Sequence, residues 1–106
     1  MEYYLVSAIP RLNRMDDLET RLAADEFVQL RPFGPALCGS LRNARLSASG
    51  LAVWEEEDYC SPPLAEERAA VLDHYFDQLL TSQVRQGEGW ERMGPLRPLF
   101  PALAGR

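Results

Sequence analysis

Residues 54–60 read Trp-Glu-Glu-Glu-Asp-Tyr-Cys, four carboxylates and a thiol in one short run. Carboxylates so placed can hold a hard divalent cation or move a proton. In a strand the side chains alternate, so Glu55 and Glu57 share one face while Glu56 and Asp58 share the other. Glu55, Glu57 and Asp58 are the candidate cation ligands, and the chemistry they suggest is divalent-metal-dependent phosphoester hydrolysis. Metal-dependent nuclease sites of this kind commonly add a lysine, and the chain has none. The competing reading is a strand running out of the core into water, its edge blunted by charge. That reading is preferred, with metal binding as the alternative.

Other reactive residues are sparse. His74 is the only histidine, which excludes multi-histidine zinc sites and the two-histidine iron triad. Asp77 and Gln78 stand three and four positions beyond it, so on a helix they would be in reach. No nucleophile motif accompanies the His–Asp pair. Cys60 precedes a helix start, which favours a thiolate by about 0.3–1 kcal/mol. Each nearby carboxylate opposes this, so Cys60 is expected to be a half-buried thiol and Cys38 a core residue. Gly34-Pro-Ala-Leu-Cys-Gly-Ser40 has the glycine spacing of a phosphate loop but lacks its lysine. Arg31, Arg42 and Arg45, with Phe33 nearby, are the alternative for nucleic-acid or nucleotide binding. A net charge of −5 disfavours it.

All 11 basic residues are arginine, so no lysine can serve as a Schiff base or general base. The negative charge is concentrated: residues 55–77 hold eight acids and one arginine. No apolar run is long enough to span a bilayer. The opening MEYYLVSAIP lacks the basic start of a secretory signal, and a cytoplasmic location with free thiols is expected.

The surrounding pattern supplies the elements. Residues 3–9 suit a buried strand closed by Pro10. Asn13 and Asp16 resemble a capping box, and Met15, Leu18 and Leu22 form a stripe predicting a helix over 14–25. Residues 27–31 and 36–42 read as strands, with a longer strand over 46–57 in which Gly50 marks a bulge. Ser61 and Pro62 open a predicted helix over 62–83, packed through Leu72, Phe76 and Leu79. Its opposite side carries an acidic face of Glu66, Asp73, His74 and Asp77. Prolines at 95, 98 and 101 exclude a regular helix from the tail. The expected fold is an α+β, β-α-β-β-β-α two-layer sandwich. Its sheet is mainly antiparallel, with helices on one face.

The expected organisation is one α+β domain over residues 1–86 and an extended, Pro-spaced C-terminal tail over 87–106. That tail is too apolar to stay in water, so it should dock in cis or on a second subunit. Trp90, Leu99 and Phe100 are the candidate interface anchors, with Arg92 and Arg97 facing acids. The reading adopted is a noncatalytic interaction or regulatory module. It forms a homodimer, accepts a basic protein partner, uses no cofactor and does not engage a membrane.

Overall fold

The computed structural model describes residues 1–105. The Tyr-Tyr-Leu-Val run forms β1 (Glu2–Pro10) as expected. A short 3-10 turn leads into α1 (Met15–Ala23), whose Leu18 and Leu22 are fully buried one turn apart. Then come α2 (Gly34–Arg42), β2 (Arg45–Leu46), β3 (Ala52–Asp58) and α3 (Ala65–Ala70). The chain ends in β4 (Phe76–Val84), α4 (Glu88–Met93) and β5 (Arg97–Pro98). The five strands make one sheet in the order β4-β1-β3-β2-β5, and every neighbouring pair is antiparallel. The α+β class and the antiparallel sheet with packed helices are as expected. The order of elements is not. None of the described helices is long and apolar enough to cross a membrane.

The core gathers around Trp54, whose ring lies 5.1 Å from that of Phe76. Val6, Leu18, Leu22, Leu37, Leu41, Leu72 and Phe100 complete it. Burying one such tryptophan removes roughly 200 Å² from water, worth about 5 kcal/mol. Tyr75 ties α1 to the turn before β4. Its hydroxyl donates to Asp17 at 2.5 Å and accepts from Arg21 at 2.8 Å. The Tyr75 bond is the main reason the Asp17 carboxyl sits below its ordinary range.

Residues 36–42 form helix, not strand. Pro35 pre-sets the first turn, and Leu37, Cys38 and Leu41 make one buried stripe. Gly39 meets nothing, so it serves no close approach. Gly34 does: an added methyl there would lie 2.7 Å from the Val28 carbonyl oxygen and collide with that of Phe27. Residues 27–31 are turns rather than strand, with Phe27 buried beneath the Arg21 guanidinium. The long strand over 46–57 is two strands. Gly50, at φ +86°, lies in the turn between β2 and β3 and is not a bulge.

The helix expected over 62–83 is instead α3, a 3-10 turn at Leu72–His74, and β4. Leu72, Phe76 and Leu79 are all buried, so the core assignment holds although the helix does not. The strand carries an irregularity at Gln78, whose φ is +50°. That extra residue lets Phe76 and Leu79, three apart, both face the core. The bulge thus reproduces a helical spacing inside a strand. In the tail, residues 88–93 are helical, β5 pairs with β2, and Phe100 and Leu103 join the core of the same chain.

Candidate functional site

The end of β3 and the start of α3 build an acid pocket. Strand alternation puts Ala52, Trp54, Glu56 and Asp58 on the core side. Glu56 is 1% exposed, and its Oε1 accepts from the Trp54 indole at 2.8 Å. Asp58 Oδ2 accepts the Leu64 amide at 2.5 Å. Leu64 holds a left-handed φ of +63°, unusual for a branched apolar residue, with its side chain fully buried. That conformation starts α3 and brings Glu67, which is 0% exposed, back over the strand end. The Cys60 thiol donates to Glu67 Oε1 at 3.8 Å.

One donor atom each from Asp58, Cys60 and Glu67 lies within 4.8 Å of the others. With both glutamates ionised, Glu56 Oε2 and Glu67 Oε2 are buried and have no hydrogen-bond donor. No arginine forms an ion pair with Glu56, Asp58 or Glu67 among the described residues. Burial, opposed by the indole bond and helped by the Glu67 and Asp58 charges, pushes the Glu56 carboxyl far up. Burial likewise pushes Glu67 up to about 7. Burial also acts to raise Asp58, but the Leu64 and Cys60 amides and Glu67 hold it below its usual value. For Cys60 the Glu66 backbone pulls the thiol down, yet burial and the Asp58 and Glu67 carboxylates leave it raised. Three carboxyls and a thiol thus share a nearly dry corner, to be neutralised by protons or by a cation.

A pocket of about 300 Å³ opens onto this corner. Pro32, Phe33 and Ala36 line it together with Tyr59, Cys60, Glu66 and Glu67. A second, shallower cleft of about 630 Å³ lies beside Tyr3, Arg45, Glu57 and Trp90.

The cation set Glu55, Glu57 and Asp58 is not assembled. Glu55 and Asp58 leave β3 on opposite sides, and Glu55 is already engaged. Its two oxygens accept the Gly87 and Gly89 amides at 2.8 and 2.7 Å. It caps α4 as an internal carboxylate, satisfying amides that a helix start leaves free. Glu57 lines both pockets without joining the buried cluster.

Nor is there a single acidic face. Glu66 is exposed on α3, Asp73 meets Arg68 at 3.4 Å, and Asp77 in β4 meets Arg11 at 2.9 Å. His74 is exposed in the 3-10 turn, and the helical reach to Asp77 is lost with the helix. Of the three arginines, Arg42 donates to Leu22 O at 2.6 Å and to Asp25. Arg45 donates to Leu96 O at 2.7 Å, leaving Arg31 alone on the surface. Of the interface candidates, the three apolar ones pack on their own chain. Phe100 is 3% exposed in the core, and Leu99 and Trp90 pack against it. The Leu99 amide bonds Ala44 O at 2.8 Å, Arg92 bonds Glu88 at 2.6 Å, and Arg97 lies exposed on β5.

Cys60 is half-buried and Cys38 buried, as expected, and both thiols are free; Glu67 was not singled out in the sequence. The Asp58-x-Cys60 spacing was visible, since two residues apart on an extended chain keep one side. Glu67's return to them depends on the left-handed turn at Leu64, which no pattern announced. The chain matches no family model, no curated protein and no solved structure.

Proposed function

We propose that this protein is a noncatalytic binding module that takes a divalent cation of the zinc class at Asp58, Cys60 and Glu67. The observation that carries this is the three donors within 4.8 Å, with a buried Glu67 oxygen left without a donor. A tetrahedral ion with bonds of about 2.0–2.3 Å wants donors roughly 3.5 Å apart, so closure of about 1 Å suffices. One thiolate with two carboxylates suits a borderline ion such as Zn²⁺ better than Mg²⁺ or Ca²⁺, which prefer oxygen alone. Three protein donors leave a fourth position, and the 300 Å³ pocket gives a small ligand or a partner's side chain access to the cluster. The ion would tie the end of β3 to α3, so occupancy would stiffen the wall of that pocket. A cytosolic setting, which keeps Cys60 reduced, belongs to the same proposal.

Titration calorimetry with ZnCl₂ on chelator-stripped protein tests it, together with the absorption spectrum of the Co²⁺ form. One equivalent per chain and a thiolate-to-cobalt charge-transfer band are expected. Both should vanish in Cys60→Ser and Glu67→Gln and persist in Glu57→Gln. Folded wild type that binds neither ion would overturn the proposal, as would binding unchanged in both ligand variants.

A further inference from the structure

β4 ends the sheet, and its outer edge is bare. Among the described residues, no backbone or side-chain hydrogen bond from another element reaches the main chain of Leu79–Val84 other than from β1. Edge strands are usually protected by charge, proline or shortness. Residues 79–84, Leu-Leu-Thr-Ser-Gln-Val, contain no charge and no proline. The bulge at Gln78 ends the regular stretch on one side only. Leu80 is 68% exposed on this edge, and Ile9 is exposed on the neighbouring strand. Strand pairing puts Leu80 level with Ser7, and Ile9 level with Asp77, on one side of the sheet.

We infer that two copies of this chain associate by antiparallel pairing of β4 with β4, joining two five-stranded sheets into one of ten. Three features select a second copy as the occupant. Antiparallel pairing of a strand with itself satisfies a two-fold axis, so one surface is its own complement. Charge agrees with that direction: Asp77, half-exposed beside Arg11, precedes the uncharged stretch, and Arg85, 3.9 Å from Glu88 with its side chain 93% exposed, follows it. Antiparallel strands bring the aspartate end of one copy to the arginine end of the other, whereas parallel strands would bring like to like. Growth also stops at two. The opposite edge, β5, is two residues long and ends at Pro98, so it offers no ladder for β4 to continue. Near the axis the two Leu80 side chains become diagonal neighbours on one face, within reach of each other. This dimer is placed at β4 rather than at the tail, where Phe100 lies in its own core with Trp90 and Leu99 half-buried against it.

Sedimentation equilibrium and concentration-dependent amide exchange on the full chain test this. The expected results are a species of twice 12.0 kDa and slower exchange at Leu79–Val84 as concentration rises. Leu80→Lys, a change at an exposed site, should weaken association roughly tenfold or more while leaving the thermal melt of the dilute protein unaltered. Because the edge is separate from the acid pocket, association should be the same with Zn²⁺ or with chelator. A monomer at millimolar concentration overturns the inference. So does an unchanged dimer in Leu80→Lys, or exchange at these amides that ignores concentration.

Discussion

Metal-free protein should lose stability as pH rises from 5 to 8, the reverse of the usual behaviour of a protein rich in carboxylates. The cause is Glu67. Its carboxyl is raised from 4.5 to about 7 in the folded chain, so the folded state holds a proton that the unfolded state releases. A group raised in this way stabilises fully below about 4.5, and the stabilisation fades as pH climbs through about 7. At about 1.36 kcal/mol per pH unit, the loss is on the order of 3 kcal/mol by pH 8. Glu56 is raised for the same reason and acts in the same direction. Asp17, Asp58 and Glu88 are lowered instead, so they act in the opposite direction, with their effect concentrated at the acid end of the range. In a domain of this size a loss of 3 kcal/mol lowers the melting temperature by roughly 12–24 °C. Calorimetric melts in chelator at pH 5, 6, 7 and 8 measure it directly. Glu67→Gln keeps the shape, removes the titration and lets the amide donate to Asp58. It should melt higher than wild type at pH 8 and show a shallower slope. A melting temperature that is flat or rising over this range would refute the reasoning, as would an equal slope in the variant.

Two further outcomes follow from the packing. Phe76→Ala removes a 3%-exposed ring against Trp54 and should cost about 3–5 kcal/mol in urea unfolding. Glu55→Ala strands the Gly87 and Gly89 amides and should cost about 3 kcal/mol, with helical circular dichroism falling as α4 frays.

Legibility in the sequence followed the physics of each segment. The first strand was readable because nothing interrupts its β-branched and aromatic run. α1 was readable because Leu18 and Leu22 keep strict helical spacing; the Asn13–Asp16 capping box did not form, since Asn13 lies in the 3-10 turn and the Arg14 N-cap makes no side-chain bond. Residues 36–42 were misread because a nine-residue helix with a glycine in it has little periodicity to display. Pro35, a residue that stops a strand, here starts a helix. Residues 76–84 were misread for a sharper reason. A bulge inserts one residue into a period of two, and two plus one imitates a helical step of three. The buried set survived both errors, since burial depends on side-chain chemistry more than on backbone form. At the site, strand alternation separates Glu55 and Glu57 from Glu56 and Asp58, but it does not show that Glu55, Glu56 and Asp58 are all buried. Glu67 arrives through a single left-handed residue, and such a turn has no hydrophobic signature.

The tail has a consequence for how the molecule is made. Phe100 and Leu103 enter the same core as Val6, and β1 is the strand around which β3 and β4 assemble. β1 therefore pairs with β3 in mid-sequence but shares its core with residues far beyond it. Contacts so distant along the chain slow folding, because a long loop must close before they reward it. A nascent chain halted at Val84 would hold a complete β4 with its bare edge, but no Phe100 to seal the layer behind Trp54. In such a chain the bare edge and the unsealed core are exposed together, the stage at which chaperone capture or premature strand exchange would compete with folding.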